Sequence, residues 1–190
     1  MRIVVSLLFL LTFYFNVRAQ FKYEREYRIS EEEVPEKALL FLGEKTSDQK
    51  VKWYLEDQKD RSSIEAKFRY QNEKYSLEFD SSGNFEDLEI LQKRKQITPE
   101  VWEKISTHLK QIYEKYKIEK IQVQYSGQIQ SFKDFLSLRE KGASLIVKYE
   151  LVLKAKKQKD WNLYESSFKE NGAWEKTLKI KFRNTDHLDY

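Results

Sequence analysis

From Val51 to Phe182 the chain is dominated by short runs in which apolar and polar residues alternate. Val51, Trp53 and Leu55 alternate with Lys52, Tyr54 and Glu56, and the same period governs Ile64–Tyr70, Tyr75–Asp80 and Phe85–Leu91. Period two is the signature of a strand with one face buried, so these runs predict an antiparallel meander covered on one side. Turn signals separate them: Gln71-Asn72-Glu73-Lys74, then Ser81-Ser82-Gly83-Asn84 with Gly83 suited to positive φ. A second series follows. Ile121, Val123 and Tyr125 alternate with glutamines, Leu145–Leu153 forms a longer run, and Trp161–Phe168 and Trp174–Phe182 flank the hairpin signal Asn171-Gly172.

Helical spacing precedes each series. Ser30 and Glu33 have capping-box spacing, and Val34–Leu42 carries a short apolar face that Gly43 ends. Between Ile97 and Tyr125, Thr98 is a cap, Pro99 suits the first helical position, and Val101, Ile105, Leu109, Ile112 and Tyr116 form one stripe. That helix is expected to run to about Tyr116. Gln20–Ile29 reads as a polar lead-in, either edge strand or disordered arm. Phe132, Phe135 and Leu136 suggest a short extra helix within 126–142.

The order helix then strands occurs twice, with aromatic and turn positions in step: Tyr75, Leu77, Gly83 and Phe85 against Trp161, Leu163, Gly172 and Trp174. The expected fold class is α+β, a tandem repeat of a helix packed on a four-stranded antiparallel sheet. The expected division is a signal peptide at 1–19, a lead-in at 20–29, a first module at 30–97 and a divergent second at 98–190, with an insertion at 126–142.

The N-terminus supplies the address. Arg2, an apolar run from Ile3 to Phe15 and Val17-Arg18-Ala19 make a secretory signal cleaved after Ala19, the apolar run being too short to span a bilayer. The expected location is therefore periplasmic or secreted, with no membrane anchor after cleavage. Cysteine is absent from the 190 residues, which removes disulfides, thiolate metal sites and a cysteine nucleophile. The formal charge of +4 falls by two with Arg2 and Arg18. A near-neutral chain whose Lys and Glu alternate gives no electrostatic case for nucleic acid.

Catalytic motifs are missing. His108 and His187 lack ligand partners at metal spacing, no GxSxG occurs, and five scattered glycines make no phosphate cradle. Neither metal nor cofactor is expected, and a hydrolase using acidic residues is the weakest alternative.

Val34-Pro35-Glu36, Val51-Lys-Trp-Tyr-Leu, Ile64-Glu-Ala-Lys-Phe, Tyr75-Ser-Leu-Glu-Phe-Asp80 and Ser82-Gly83-Asn84 resemble the PepSY-like, β-lactamase-inhibitor-like family common among exported proteins of Bacteroidetes. The resemblance covers about Ser30 to Ile97. It implies a helix on a four-stranded sheet, no enzymatic activity, and binding or restraint of other exported proteins; it carries over no functional residues. The expected function is thus a non-enzymatic exported protein that binds an exported partner through an exposed sheet face. Lys52, Tyr54, Glu56, Glu65, Lys67, Arg69 and Glu78 lie on that face, and the binding residues selected from it are Tyr54, Lys67, Arg69 and Glu78. A rival expectation is a carrier of an apolar molecule held between helix and sheet, among Trp53, Phe68, Phe79 and Trp102, where the simpler reading is core.

Overall fold

The structure, a computed structural model, describes residues 21–46, 49–57, 61–140, 145–157 and 159–182. The expected signal peptide, the polar tail after Phe182 and His187 within it lie outside these residues.

The strands are β1 (Phe21–Glu24), β2 (Glu26–Ile29), β3 (Lys52–Asp57), β4 (Ser62–Tyr70), β5 (Glu73–Asp80), β6 (Phe85–Leu91), β7 (Lys115–Ser126), β8 (Ile146–Lys157), β9 (Asp160–Lys169) and β10 (Trp174–Phe182). The helices are α1 (Glu36–Leu42), α2 (Pro99–Ile112) and α3 (Phe132–Glu140). All ten strands join one sheet, in the order β1-β10-β9-β8-β7-β6-β5-β4-β3-β2.

This overturns the expected tandem of four-stranded sheets. β6 pairs with β7, setting Leu88 opposite Tyr125 and Ile90 opposite Val123, so strands from both halves belong to one ladder. Two separate sheets would leave both of those strands as unpaired apolar edges, which pairing removes. The helix expected within 126–142 also crosses the division. α3 belongs to the second half, yet Ile129, Phe132 and Phe135 pack in the core cluster of the first half.

The lead-in is neither a simple edge strand nor an arm. β1 pairs in parallel with β10 and β2 pairs antiparallel with β3, the two being consecutive in sequence and separated only by Arg25. One short segment is therefore hydrogen-bonded to both ends of the sheet, and the Asp57 N–H donates to the Arg25 carbonyl at 2.9 Å where the ends meet. The sheet curls into a barrel that this segment closes, and the polar face is turned inward.

The apolar face is outside, under the helices. α1 and α3 cover Trp53, Phe68, Leu77, Phe79 and Leu88, and α2 covers Ile121, Leu151, Leu153 and Phe168. Phe132 meets Phe68, Tyr70 and Tyr75 edge to face, with centroids 5.2 to 5.4 Å apart. α2 starts as the sequence predicts, with the Val101 N–H donating to Thr98 Oγ1 and Pro99 in first place. It stops at Ile112, short of Tyr116, because the chain there extends to pair Tyr116 with Ala155.

Two hairpin glycines hold the helices to the sheet. At Gly83 (φ +79°) an added Cβ would lie 2.8 Å from Pro35 Cβ, and at Gly172 (φ +81°) 2.8 Å from the Val101 carbonyl oxygen. Both turns need a left-handed residue and leave no room for a side chain, so each presses its backbone against the start of a helix.

Candidate functional site

Because strands alternate, inward closure of the polar face gathers charged side chains inside the barrel. Glu65 faces Glu78 across β4 and β5, and Glu78 faces Asp87 across β5 and β6. Glu56, Glu89, Glu150 and Glu165 share the interior. A cavity of about 210 Å³ at this level is lined by residues from all ten strands, including Lys22, Glu26, Glu56, Glu65, Glu78 and Glu165.

Counter-ions and shared protons hold this acidic belt. Lys22 Nζ lies 2.6 Å from Glu165 Oε2, and Lys67 Nζ lies 2.7 Å from Glu65 Oε2 and 2.8 Å from Glu26 Oε1. Glu26, Glu56 and Glu65 bring one oxygen each within 4.8 Å of one another, spacing that suits a metal ion. The Lys67 ammonium is the cation placed there. Burial first, then Glu65 and Glu78, pushes the Glu56 carboxyl up to about 8. Burial, opposed by Lys22 and reinforced by Glu65, holds Glu78 at about 7, and burial with Glu78 and Glu150 holds Asp87 at about 8. Glu89 is raised well above the ordinary range by burial and by Glu150. Gln122 donates to Glu89, Ser76 donates to Glu65, and Ser167 donates to Glu150 at 3.2 Å.

One mouth of the barrel has the opposite charge. A cavity of about 750 Å³ opens there, lined by Lys50, Lys52, Tyr54, Lys67, Arg69, Lys74, Leu91 and Lys120, with Glu65, Ser76, Glu89 and Gln122 at its base. Lys52 stands opposite Lys67 on paired strands, and Arg69 opposite Lys74. Like charges in cross-strand positions repel. Of these cations only Lys67 makes an ion pair with a described residue. Tyr54 brings a ring, with Lys67 Nζ 4.8 Å and the Arg28 guanidinium carbon 5.3 Å from its centroid. The interior is thus polarised, basic at this mouth and acidic at the belt.

All four residues selected from the sequence lie on this interior face. Tyr54, Lys67 and Arg69 line the basic mouth, and Lys67 and Glu78 line the acidic cavity. The face is a concave lining rather than an open plane: Glu65 is only 5% exposed. Sequence reasoning missed Lys74, Lys120, Glu89, Glu150 and Glu165. The alternation placed Glu89 and Glu150 on the polar face, but Lys74 fell in a turn signal and Glu165 in step with Trp161 and Leu163, and only the closure joins these residues across the two halves.

The aromatics of the carrier reading are divided. Trp53, Phe68 and Phe79 are buried in the cluster under α1 and α3, whereas Trp102 packs against the cluster under α2 with Arg94 over its ring at 4.3 Å. His108 stacks on Trp174, ring centroids 5.2 Å apart, with Nε2 buried and unpaired; burial lowers its pKa. An imidazole packed between the Phe168 and Trp174 rings is a packing element.

No protein-family model matches the chain, and no curated protein matches it in sequence. Among the described residues, no helix is long and apolar enough to cross a membrane.

Proposed function

We propose that this protein is a non-enzymatic exported binding protein, which receives a short segment of another exported protein in the basic mouth of its barrel. The supporting observation is the 750 Å³ cavity, within the range of clefts that hold ligands and rimmed by Lys50, Lys52, Arg69, Lys74 and Lys120, which make no ion pair with a described residue. The signal sequence supplies the export, and the resemblance of residues 30–97 to PepSY-like proteins supplies the expectation of binding. The acidic belt argues for a scaffold rather than a hydrolase. Its carboxylates are engaged with Lys22, Lys67 and one another around about 210 Å³, below the usual size of a substrate cleft.

Site-specific photo-crosslinking tests this reading. A photoreactive residue replacing Tyr54 should yield a discrete adduct in the host's exported fraction. The same residue at exposed Lys110 on α2 should not, and Leu91→Trp, which narrows the mouth, should suppress the Tyr54 adduct. Equal labelling from both positions would overturn it.

A further inference from the structure

The ligand class follows from how the cations at the mouth are spaced, an inference that rests on the binding function proposed above. Lys52 and Lys67 form one cross-strand like-charge pair, and Arg69 and Lys74 form the next. Lys67 and Arg69 are two residues apart on β4, so the pairs are separated along the strand by about 7 Å. Alternate side chains of an extended peptide have that same spacing. Arg69 and Lys74 present two positive charges to one position, and Lys52 presents one beside Lys67, whose own charge is taken up by Glu65 and Glu26. A carboxylate meets that demand and an amide does not. Lys50, Lys52, Arg69, Lys74 and Lys120 all line this cavity and make no ion pair with any described residue, so their charge is available. Farther in, the acidic belt repels a second row of anions, which limits the ligand to the mouth.

We infer that the mouth recognises an extended acidic peptide with Asp or Glu at alternate positions, one carboxylate seated on Lys52 and the other between Arg69 and Lys74.

The like-charge pairs make a test that separates binding from folding. Lys74→Glu converts the repelling pair with Arg69 into an attracting one, and Lys52→Gln removes the free charge opposite Lys67 without adding an acid beside Glu65 and Glu26. The double variant should therefore melt at or above the wild-type temperature while losing the peptide. A fluorescein-labelled peptide with Glu at alternate positions, titrated against the full mature chain and followed by anisotropy, should bind and should weaken as salt rises past about 0.1 M. The double variant should bind it at least about tenfold more weakly, since one carboxylate then loses its cation and the other meets a like charge. Lys110→Glu should bind as wild type does. A peptide of equal charge with its Glu residues adjacent should bind more weakly than the alternating one. Inorganic phosphate and an oligouronate serve as competitors. If either displaces the peptide at a concentration below the peptide's own Kd, the site belongs to a small anion or glycan and the assignment falls. Absence of binding, or binding unchanged in the double variant, also overturns it. A retained Tyr54 adduct that the acidic peptide fails to block would sink the ligand class alone, whereas loss of that adduct's specificity sinks the binding function itself.

Discussion

Glu65, Glu78 and Asp87 stand directly opposite one another on three adjacent strands, an arrangement that costs stability whenever all three are ionised. Asp87 Oδ1 is buried without a partner, and the nearest relief is a proton. This fixes the sign of the pH dependence. Folded-state carboxyl values raised to about 8 for Glu56 and Asp87 and about 7 for Glu78 mean that the native state holds protons the unfolded chain has released. Their contribution is fully present below the unfolded values, 3.8 for Asp and 4.5 for Glu, and is lost as pH rises toward 8. The melting temperature is therefore expected to fall from about pH 5 to about pH 8. Asp87→Asn should flatten that fall and raise the midpoint at pH 8 by a few degrees. A melting profile that rises with pH across this window, or an Asp87→Asn variant with unchanged slope, would refute the account. Little of this was legible beforehand: the register that sets Glu78 between two acids depends on hairpin geometry, and alternation says only that they share a face.

At the scale of elements, the local chemistry was readable and the partners were not. Thr98, Pro99, Gly83 and Gly172 act where the sequence placed them, because caps and turns are decided within a few residues. The end of α2 was misplaced because Ile112 and Tyr116 fit a helical stripe equally well, and only pairing with β8 selects the strand. α3 was expected from three apolar residues, but nothing local indicated that it would cover the first half. It is anchored there by Phe132, fully buried among Phe68, Tyr70 and Tyr75, and by Arg139, which donates to both Glu73 oxygens at 2.7 and 3.0 Å. If α3 is part of that core, Phe132→Ala should cost about 3–5 kcal/mol in urea unfolding. Amide exchange should then accelerate in β4 and β5 as well as in α3. Acceleration confined to α3 would mean that the helix is only an appendage.

For the whole molecule, the decisive step is the one that alternation cannot report. A sheet with a solvated polar face and a barrel with a polar lumen share the same period-two pattern, and they differ only in whether the edges find each other. Here the edges meet through β1 and β2, whose polar composition suited an arm as well as a strand facing a charged interior. Lys22 makes the difference physical. It reaches Glu165 from β1, so the closing segment brings a counter-ion into the belt as well as backbone pairing. Deleting 20–29 should therefore do two things that loss of a disordered arm would not. The edges of β3 and β10 lose their partners, exposing unpaired strand backbone that promotes association. The belt loses Lys22 together with the rim acid Glu26 but keeps the buried Glu56, Glu78, Asp87 and Glu165, so the truncated chain should be destabilised more at pH 8 than at pH 5. Light scattering coupled to size exclusion should find the truncated chain in larger species, and thermal melts at the two pH values should show the unequal loss. A monomer that melts like the untruncated chain at both would mean that the barrel holds its shape without the segment that closes it.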